Sequence, residues 1–356
     1  MQPKARIHAD PVLCDQFDRI PDSLVLVIFN KLADVRSLGR CSAVSRRFCS
    51  LVPLVHDVCV KIDRVVTIDG GADDSLNLSS IKPRSLFAHL VKLMSFAILK
   101  PFHQLRNSNG MNKPLLPQVS HHSPARVLRS FTHVRNLKIE LPAGDVGTDD
   151  GILLKWRAEF GSTLQSCVIL GGTKVDQRVN SSPREPTAAI EDNGSIPDSF
   201  YTDGGLKLRV VWTISSLIAA STRHHLLRPV IEDHPTIKSL VLTDADGQGT
   251  LSMGAEQLKE FRENPVAKSA ASNRTQVPAC NMKLWYAPFL KLPEGMGIQG
   301  ATLVAISPSE EAGNITKSLS KKETETFVSG VFDEPLKAAV KALVKRKTYL
   351  LEMNGF

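Results

Sequence analysis

Residues 16–58 read QFDRIPDSLVLVIFNKLADVRSLGRCSAVSRRFCSLVPLVHDV, and they form the most strongly patterned segment of the chain. The dipeptide Ile20-Pro21 stands where a helix would begin, because the missing N–H of Pro has no intrahelical acceptor at the first helical position. Apolar residues then recur at every fourth position, at Leu24, Ile28 and Leu32. This spacing places them on one face of a helix, so the segment opens with a predicted amphipathic helix.

Two shorter helices are predicted to follow. Asp34 can cap the first of them by accepting a backbone N–H, and Pro53 ends the second. Their apolar positions are Leu38, Cys41, Val44, Phe48 and Leu51. Three helices in about 40 residues bury little surface, and domains of this size usually need a staple or a partner. We therefore expect this helical segment to pack against a partner.

Beyond residue 58 the pattern changes to short β-like runs in which apolar residues are spaced as apolar-x-x-apolar-x-apolar. The middle residues of these runs are Val58, Leu137, Cys167, Leu240 and Cys280. Helices are predicted between the runs, over residues 85–100, 150–160, 214–227 and 254–263. Strand and helix alternating at roughly 30–40 residues is typical of a leucine-rich solenoid. The expected fold class is mixed α/β, with the runs at 134–140, 164–170 and 237–243 side by side in one sheet.

The domain organisation follows from these changes in pattern. Residues 1–15 are predicted to be an N-terminal arm, residues 16–57 the three-helix module, and residues 58–356 an irregular, leucine-rich-like domain. Two stretches rich in Pro, Gly, Asn and Ser, residues 104–123 and 171–205, are predicted to be long surface loops. Residues 334–347 are predicted to form a basic amphipathic helix near the end of the chain.

The net charge of +8 is concentrated in one part of the chain. Between residues 75 and 138 there are ten Lys and Arg residues and no Asp or Glu. Such a segment favours acidic or phosphorylated partners or nucleic acid, or else it is a solvated basic surface. Nucleic-acid binding is the less favoured alternative, since the segment offers few aromatic rings for stacking on bases. Arg126, Arg129 and Arg135 are the candidate residues for binding an acidic or phosphorylated partner, because they lead into a predicted strand.

Several other classes of site are excluded. No apolar run of about 18 residues could cross a membrane, and no secretory signal is expected, so an intracellular protein is predicted. The six cysteines form no C-x-x-C pair, which predicts reduced thiols rather than zinc or disulfides. The pairs His121-His122 and His224-His225 are expected to be exposed rather than metal-binding. No cofactor is expected.

The sequence contains no recognisable catalytic motif. Gly295, Gly297 and Gly300 match the spacing of a dinucleotide-binding loop, but they precede an apolar strand-like run instead of a helix. A glycine-rich hairpin turn is therefore predicted there. A nucleotide-dependent enzyme would need a cofactor bound at this loop.

The helical segment resembles an F-box. That family begins with Leu or Ile before Pro, continues with spaced Leu and Ile residues, and ends with a small residue or Cys, then Ser-Arg, an aromatic residue and Leu. The sequence departs from the commoner pattern at Ile20, where Leu is more frequent, and at Phe48, where many members carry Trp. More loosely, the rest of the chain resembles plant F-box proteins with irregular leucine-rich-like repeats. Residues 16–32 and 41–66 resemble in particular the small plant group of F-box proteins named for auxin up-regulation.

The resemblance implies that the protein is the non-catalytic substrate receptor of an SCF-type ubiquitin ligase. The F-box would bind a Skp1-type adaptor, which bridges to a cullin, and the remainder would recruit a protein target, with a hormone-linked role in the nucleus or cytoplasm. By the same resemblance, the residues at or directly behind the adaptor interface are Ile20, Pro21, Leu24, Ile28, Leu32, Leu38, Cys41, Val44, Ser45 and Phe48.

Overall fold

The computed structural model describes residues 16–62, 127–144, 146, 151–176, 199–202, 205–264, 274–309, 328 and 330–356. The helix predicted at 85–100, the loop predicted at 104–123, the pair His121-His122 and the candidate residue Arg126 lie outside these ranges.

The described residues form a large sheet with helices packed on both of its faces. The helices are α1 (Asp22–Leu32), α2 (Val35–Ser42), α3 (Arg46–Leu51), α4 (Gly205–Asp233), α5 (Ala255–Glu263) and α6 (Leu336–Leu343). Short helical turns occur at Gln16–Arg19, Val52–Leu54, Ser199–Thr202 and Pro293–Gly295. The strands are β1 (Asp57–Lys61), β2 (Asn136–Leu141), β3 (Ile152–Phe160), β4 (Leu164–Asp176), β5 (Ser239–Asp244), β6 (Gly249–Met253), β7 (Cys280–Lys291), β8 (Met296–Pro308) and β9 (Tyr349–Met353).

All of these strands belong to one mixed sheet in the order β1-β2-β5-β6-β3-β4-β8-β7-β9. Strands β1, β2 and β5 run parallel side by side, with Val58 opposite Leu137 and Leu137 opposite Leu240. The mixed α/β class is therefore confirmed, and three of the five predicted runs are neighbours in register.

The parallel stacking expected of a solenoid does not extend over the rest of the sheet. Strands β4, β8, β7 and β9 pair antiparallel, an arrangement that hairpin turns can connect without a crossover helix. The predicted strands at 134–140, 164–170 and 237–243 do share one sheet, but the second is separated from the other two by β6 and β3.

The helix predicted over residues 150–160 is wrong, because this segment is β3. Its buried residues from Leu154 onward alternate with charged ones, and this period of two belongs to a strand. The buried members of the alternation are Leu154, Trp156, Ala158 and Phe160. The loop predicted from residue 171 starts too early, since β4 continues to residue 176. The helix predicted at 214–227 is confirmed as part of the longer α4, and the one predicted at 254–263 is confirmed as α5. The helix predicted at 334–347 is confirmed as α6, which is shorter and covers Leu336–Leu343.

The sheet separates two apolar cores. Successive residues of β4 alternate between them, with Cys167 and Ile169 in the first core and Val168 and Leu170 in the second. The first core also contains buried residues of α1, α2, α4 and α5, and the second contains those of α6. The N-terminal helices therefore pack into the same core as the sheet.

A buried histidine corrects the expectation that the pair at 224–225 is exposed. His224 has no exposed surface, and its ring stacks on Phe160 with the ring centroids 4.5 Å apart. Its Nδ1 lies 2.7 Å from Thr275 Oγ1 and its Nε2 lies 3.1 Å from the Gly161 carbonyl oxygen. Burial lowers the pKa of His224 to about 4. The folded protein therefore holds this ring neutral.

This buried ring predicts a loss of stability in mild acid. The pKa of His224 is about 4 in the folded protein, compared with the ordinary value of 6.5 that applies to the unfolded chain. Between pH 6.5 and pH 4 the imidazole is therefore protonated in the unfolded chain but not in the folded protein. The free energy of unfolding should fall by up to about 3 kcal/mol as the pH drops from 6.5 to 4. Urea unfolding at several pH values measures this fall.

His224→Gln should flatten the pH dependence across this interval. His225→Gln is the matched variant, since it removes one histidine from the same helix and leaves the contacts of His224 in place. An equally steep loss of stability in His224→Gln would contradict the assignment.

Candidate functional site

The N-terminal helical unit, residues 16–54, is shaped by two helix caps. Asp34 accepts the backbone N–H of Ser37 at 3.0 Å and its hydroxyl at 2.8 Å, which begins α2 as the sequence predicts. Ser45 Oγ accepts the N–H of Phe48 at 3.1 Å and begins α3. Partial burial opposes ionisation of Asp34, but the hydrogen bonds from Ser37 and the nearby cations lower its pKa overall.

Arg47 and Phe48 of α3 contact α1 and the turn that precedes it. The Arg47 guanidinium donates to Asp22 Oδ1 at 2.7 Å, to the Phe17 carbonyl at 2.8 Å and to the Ile20 carbonyl. The Phe48 ring makes edge-on contacts with Phe17 and Phe29 at centroid distances of 5.8 and 5.3 Å. These contacts fix the start of α1 against α3.

One face of α1 is apolar and exposed. Leu24 and Val27 are each 54% exposed, Ile28 is 47% exposed and Leu32 is 40% exposed. These four residues lie at i, i+3, i+4 and i+8, so they form one stripe, here called the α1 face. Contiguous exposed apolar residues mark interaction surfaces on soluble proteins. The α1 face is therefore a candidate partner-binding surface.

The residues that the F-box resemblance assigns to the adaptor interface differ in how exposed their side chains are. Exposed are Pro21, Leu24, Ile28, Leu32, Val44 and Ser45, and partly buried are Ile20, Cys41 and Phe48. Leu38 is fully buried in the first core, so in this conformation it can only support the surface from behind. The sequence reasoning missed Val27, although its position three residues after Leu24 and next to Ile28 is a recognisable signal.

The helical unit joins the sheet through β1. The Cys59 N–H donates to the Ala33 carbonyl at 2.8 Å, and Val55 and Val58 lie in the same core as the inner residues of α1. The helical unit and the sheet on either side of the domain boundary predicted after residue 57 therefore share one core.

Two of the three candidate target-binding arginines lie within the described ranges. Arg129 and Arg135 are both exposed. The Arg135 carbonyl accepts the backbone N–H groups of Lys238 and Ser239 at 2.8 and 3.0 Å, so Arg135 and the exposed Lys238 precede neighbouring strands. A basic surface thus lies at this end of β2 and β5.

The glycine-rich stretch at 295–300 lies in the hairpin of β7 and β8, as predicted. Gly295 and Gly300 have φ angles of 79° and 59°, which favour glycine. Within the described ranges, no group of three His, Cys, Asp or Glu residues could hold a metal ion. No helix among those residues is long and apolar enough to cross a membrane.

The different exposure of Leu38 and Val44 predicts different effects on stability. Leu38→Ala should lower the free energy of unfolding by about 2–5 kcal/mol, because it removes fully buried methyl groups. Val44→Ala should change it by less than about 0.5 kcal/mol, because Val44 is 69% exposed. Urea unfolding compares the two variants, and equal losses would contradict the placement of these residues.

Comparison with known proteins agrees with this geometry. The family model described as F-box-like matches residues 17–61. F-box protein At4g18380 of Arabidopsis thaliana is 52% identical, over 99% of this chain and 97% of that protein. F-box proteins AUF1 and AUF2 of the same species are 38% and 40% identical, each over 96% of this chain and 100% of theirs. No solved structure matches the chain.

Proposed function

The chain belongs to the F-box protein family, and from this premise we propose that it is the substrate-recognition subunit of an SCF-type ubiquitin ligase. The resemblance to the auxin up-regulated F-box group, expected from the sequence, is confirmed. F-box proteins generally act as substrate receptors of such ligases. In this proposal the F-box binds a Skp1-type adaptor, which connects the chain to a cullin, and the remaining domain recruits a protein target for degradation.

The observation that carries the proposal is the α1 face. Three of its residues, Leu24, Ile28 and Leu32, are positions that the F-box resemblance assigns to the adaptor, and each is at least 40% exposed. Leaving this much apolar surface in water is unfavourable by about 25 cal/mol per Å², so an adaptor that covers it gains that free energy. The inner residues of α1 stay in the core and hold the face in place.

The proposed role requires no side-chain chemistry from this chain. F-box family proteins are generally non-catalytic adaptors. A receptor that holds a target near a ubiquitin-loaded enzyme raises the effective concentration of the reacting groups. We place this activity in the nucleus or cytoplasm and, by the likeness to AUF1 and AUF2, in hormone-linked growth.

Charges placed on the α1 face test adaptor binding. Val27→Asp combined with Ile28→Asp should weaken binding of a purified Skp1-type adaptor at least about 100-fold, since each buried aliphatic side chain contributes about 1.5 kcal/mol or more. Isothermal titration calorimetry measures the affinity. Both residues are exposed, so the fold should remain intact.

Leu351→Asp provides the matched control. Leu351 is 44% exposed on β9, close to the 47% of Ile28, but it lies far along the sheet from the F-box. This control should bind the adaptor as the unchanged protein does. Equal binding by the double variant would contradict the proposed interface.

Target capture is proposed to involve the basic surface at Arg129 and Arg135. Arginine forms strong bidentate hydrogen bonds with carboxylates and phosphates, so acidic or phosphorylated stretches of a target fit this surface. Arg129→Glu combined with Arg135→Glu should reduce co-purification of the target from tissue treated with a proteasome inhibitor. Adaptor binding should be unchanged.

Lys259→Glu combined with Lys345→Glu makes the same change in net charge at exposed lysines on other elements. This control should capture the target normally. If the target binds the arginine double variant as well as it binds the unchanged protein at low salt, the basic surface takes no part in target capture.

A further inference from the structure

Asn30 connects α1 to the start of β1 with its side chain. Its Oδ1 accepts the backbone N–H groups of His56 at 2.8 Å and Asp57 at 3.0 Å. Its Nδ2 donates to the Leu26 carbonyl one turn earlier, at 2.9 Å. The amide oxygen of Asn30 thus accepts two hydrogen bonds from the start of β1, while its amide nitrogen donates one within α1. An apolar side chain at this position could not make these bonds.

The hydrogen bonds continue from the start of β1 into β2. Asp57 Oδ1 accepts the side-chain amide of Asn136 at 2.6 Å. The His56 carbonyl accepts the backbone N–H groups of Arg135 and Asn136 at 2.8 and 3.0 Å. An unbroken series of bonds therefore links Asn30 to two strands of the sheet.

Asn30 lies two residues after Ile28, on the side of α1 that packs against the sheet and not on the α1 face. The helix that presents the adaptor-binding surface is therefore the same helix that Asn30 fixes to the sheet. If α1 could rotate on β1, a target held by the sheet would have no defined position relative to the adaptor. The packing of Val25 and Phe29 resists separation of α1 from the sheet, but apolar packing is not directional. The Cys59 N–H bond to the Ala33 carbonyl fixes the residue that follows α1, and Asn30 supplies side-chain bonds from the helix itself. Hydrogen bonds are directional, so they select one orientation.

We infer that Asn30 is a positioning residue that sets the orientation of the F-box relative to the target-binding domain. The inference rests on the proposed function, since it concerns how the receptor holds its target relative to the adaptor. It goes further by naming the side chain that keeps the two parts of the chain in one arrangement.

The inference is tested on the full-length chain with spin labels introduced as unnatural amino acids at Arg40 and Lys291. Both positions are exposed, one on α2 and the other at the end of β7. Pulsed electron paramagnetic resonance gives the distance distribution between them, with and without purified Skp1-type adaptor. Asn30→Ala should broaden this distribution, whereas the affinity for the adaptor should be unchanged.

Hydrogen exchange locates the effect at the joint. In Asn30→Ala the amides of His56 and Asp57 should exchange about tenfold faster, because they lose their acceptor. The amides of β5 should exchange as before, which shows that the sheet remains folded. Asn30→Asp keeps an acceptor for both amides and should restore the narrow distribution, a rescue that a loss of general stability would not show.

Asn264→Ala is the matched control, since Asn264 is exposed at the end of α5. If Asn30→Ala does not fold, Asn30→Ser keeps a polar side chain that is too short to bond both amides, and it should broaden the distribution in the same way. A distribution as narrow in these variants as in the unchanged chain would overturn the inference. Failure of the unchanged chain to bind the adaptor would refute the proposed function instead, because the distances are also measured without the adaptor.

Discussion

The rest of the structure depends on β1 serving two parts of the chain at once. The three N-terminal helices are too short to bury a core of their own. They share one instead, because Val58 on β1 lies in the same cluster as Phe29 on α1 and Leu137 on β2. The α1 face can therefore remain apolar and exposed while the inner residues of α1 stay in the core. The F-box of this protein shares that core with one end of a larger sheet.

Buried polar groups then fix the long helix α4 on that sheet. Arg223 pairs with Asp244 at 2.6 Å, and the same carboxylate accepts the backbone N–H of Gly249 at 2.7 Å. Near the start of the helix, Arg209 donates to Thr302 Oγ1 at 2.7 Å and to the Gly300 carbonyl at 3.1 Å. Burial lowers the pKa of Arg209, and its bonds to neutral oxygens compensate for the lost hydration. Directional contacts at both places give α4 a single position.

The parts of the fold that could be predicted from sequence are those governed by local rules. The cap at Asp34 and the stripe from Leu24 to Leu32 need only neighbouring residues, and both are found where they were expected. The prediction of a helix at β3 is wrong although its residues alternate between apolar and charged from Leu154 to Phe160, and pairing with β4 and β6 fixes the segment as a strand. The burial of His224 depends on Gly161 and Thr275, each more than 50 residues away, which no local pattern reveals. For the same reason the role of Asn30 could not be predicted from the sequence, because its hydrogen bonds depend on where β1 lies relative to α1.

The wide separation of paired strands has a consequence for how the protein is made. Asp57 and Asn136 are neighbours on β1 and β2 although they are 79 residues apart in the chain. Contacts between such distant residues slow folding, because a long loop must close before they form. During synthesis the F-box helices are made before β2 and β5, the strands that complete their core. The apolar residues that later anchor the F-box are thus exposed on the nascent chain, where they favour aggregation and binding by chaperones.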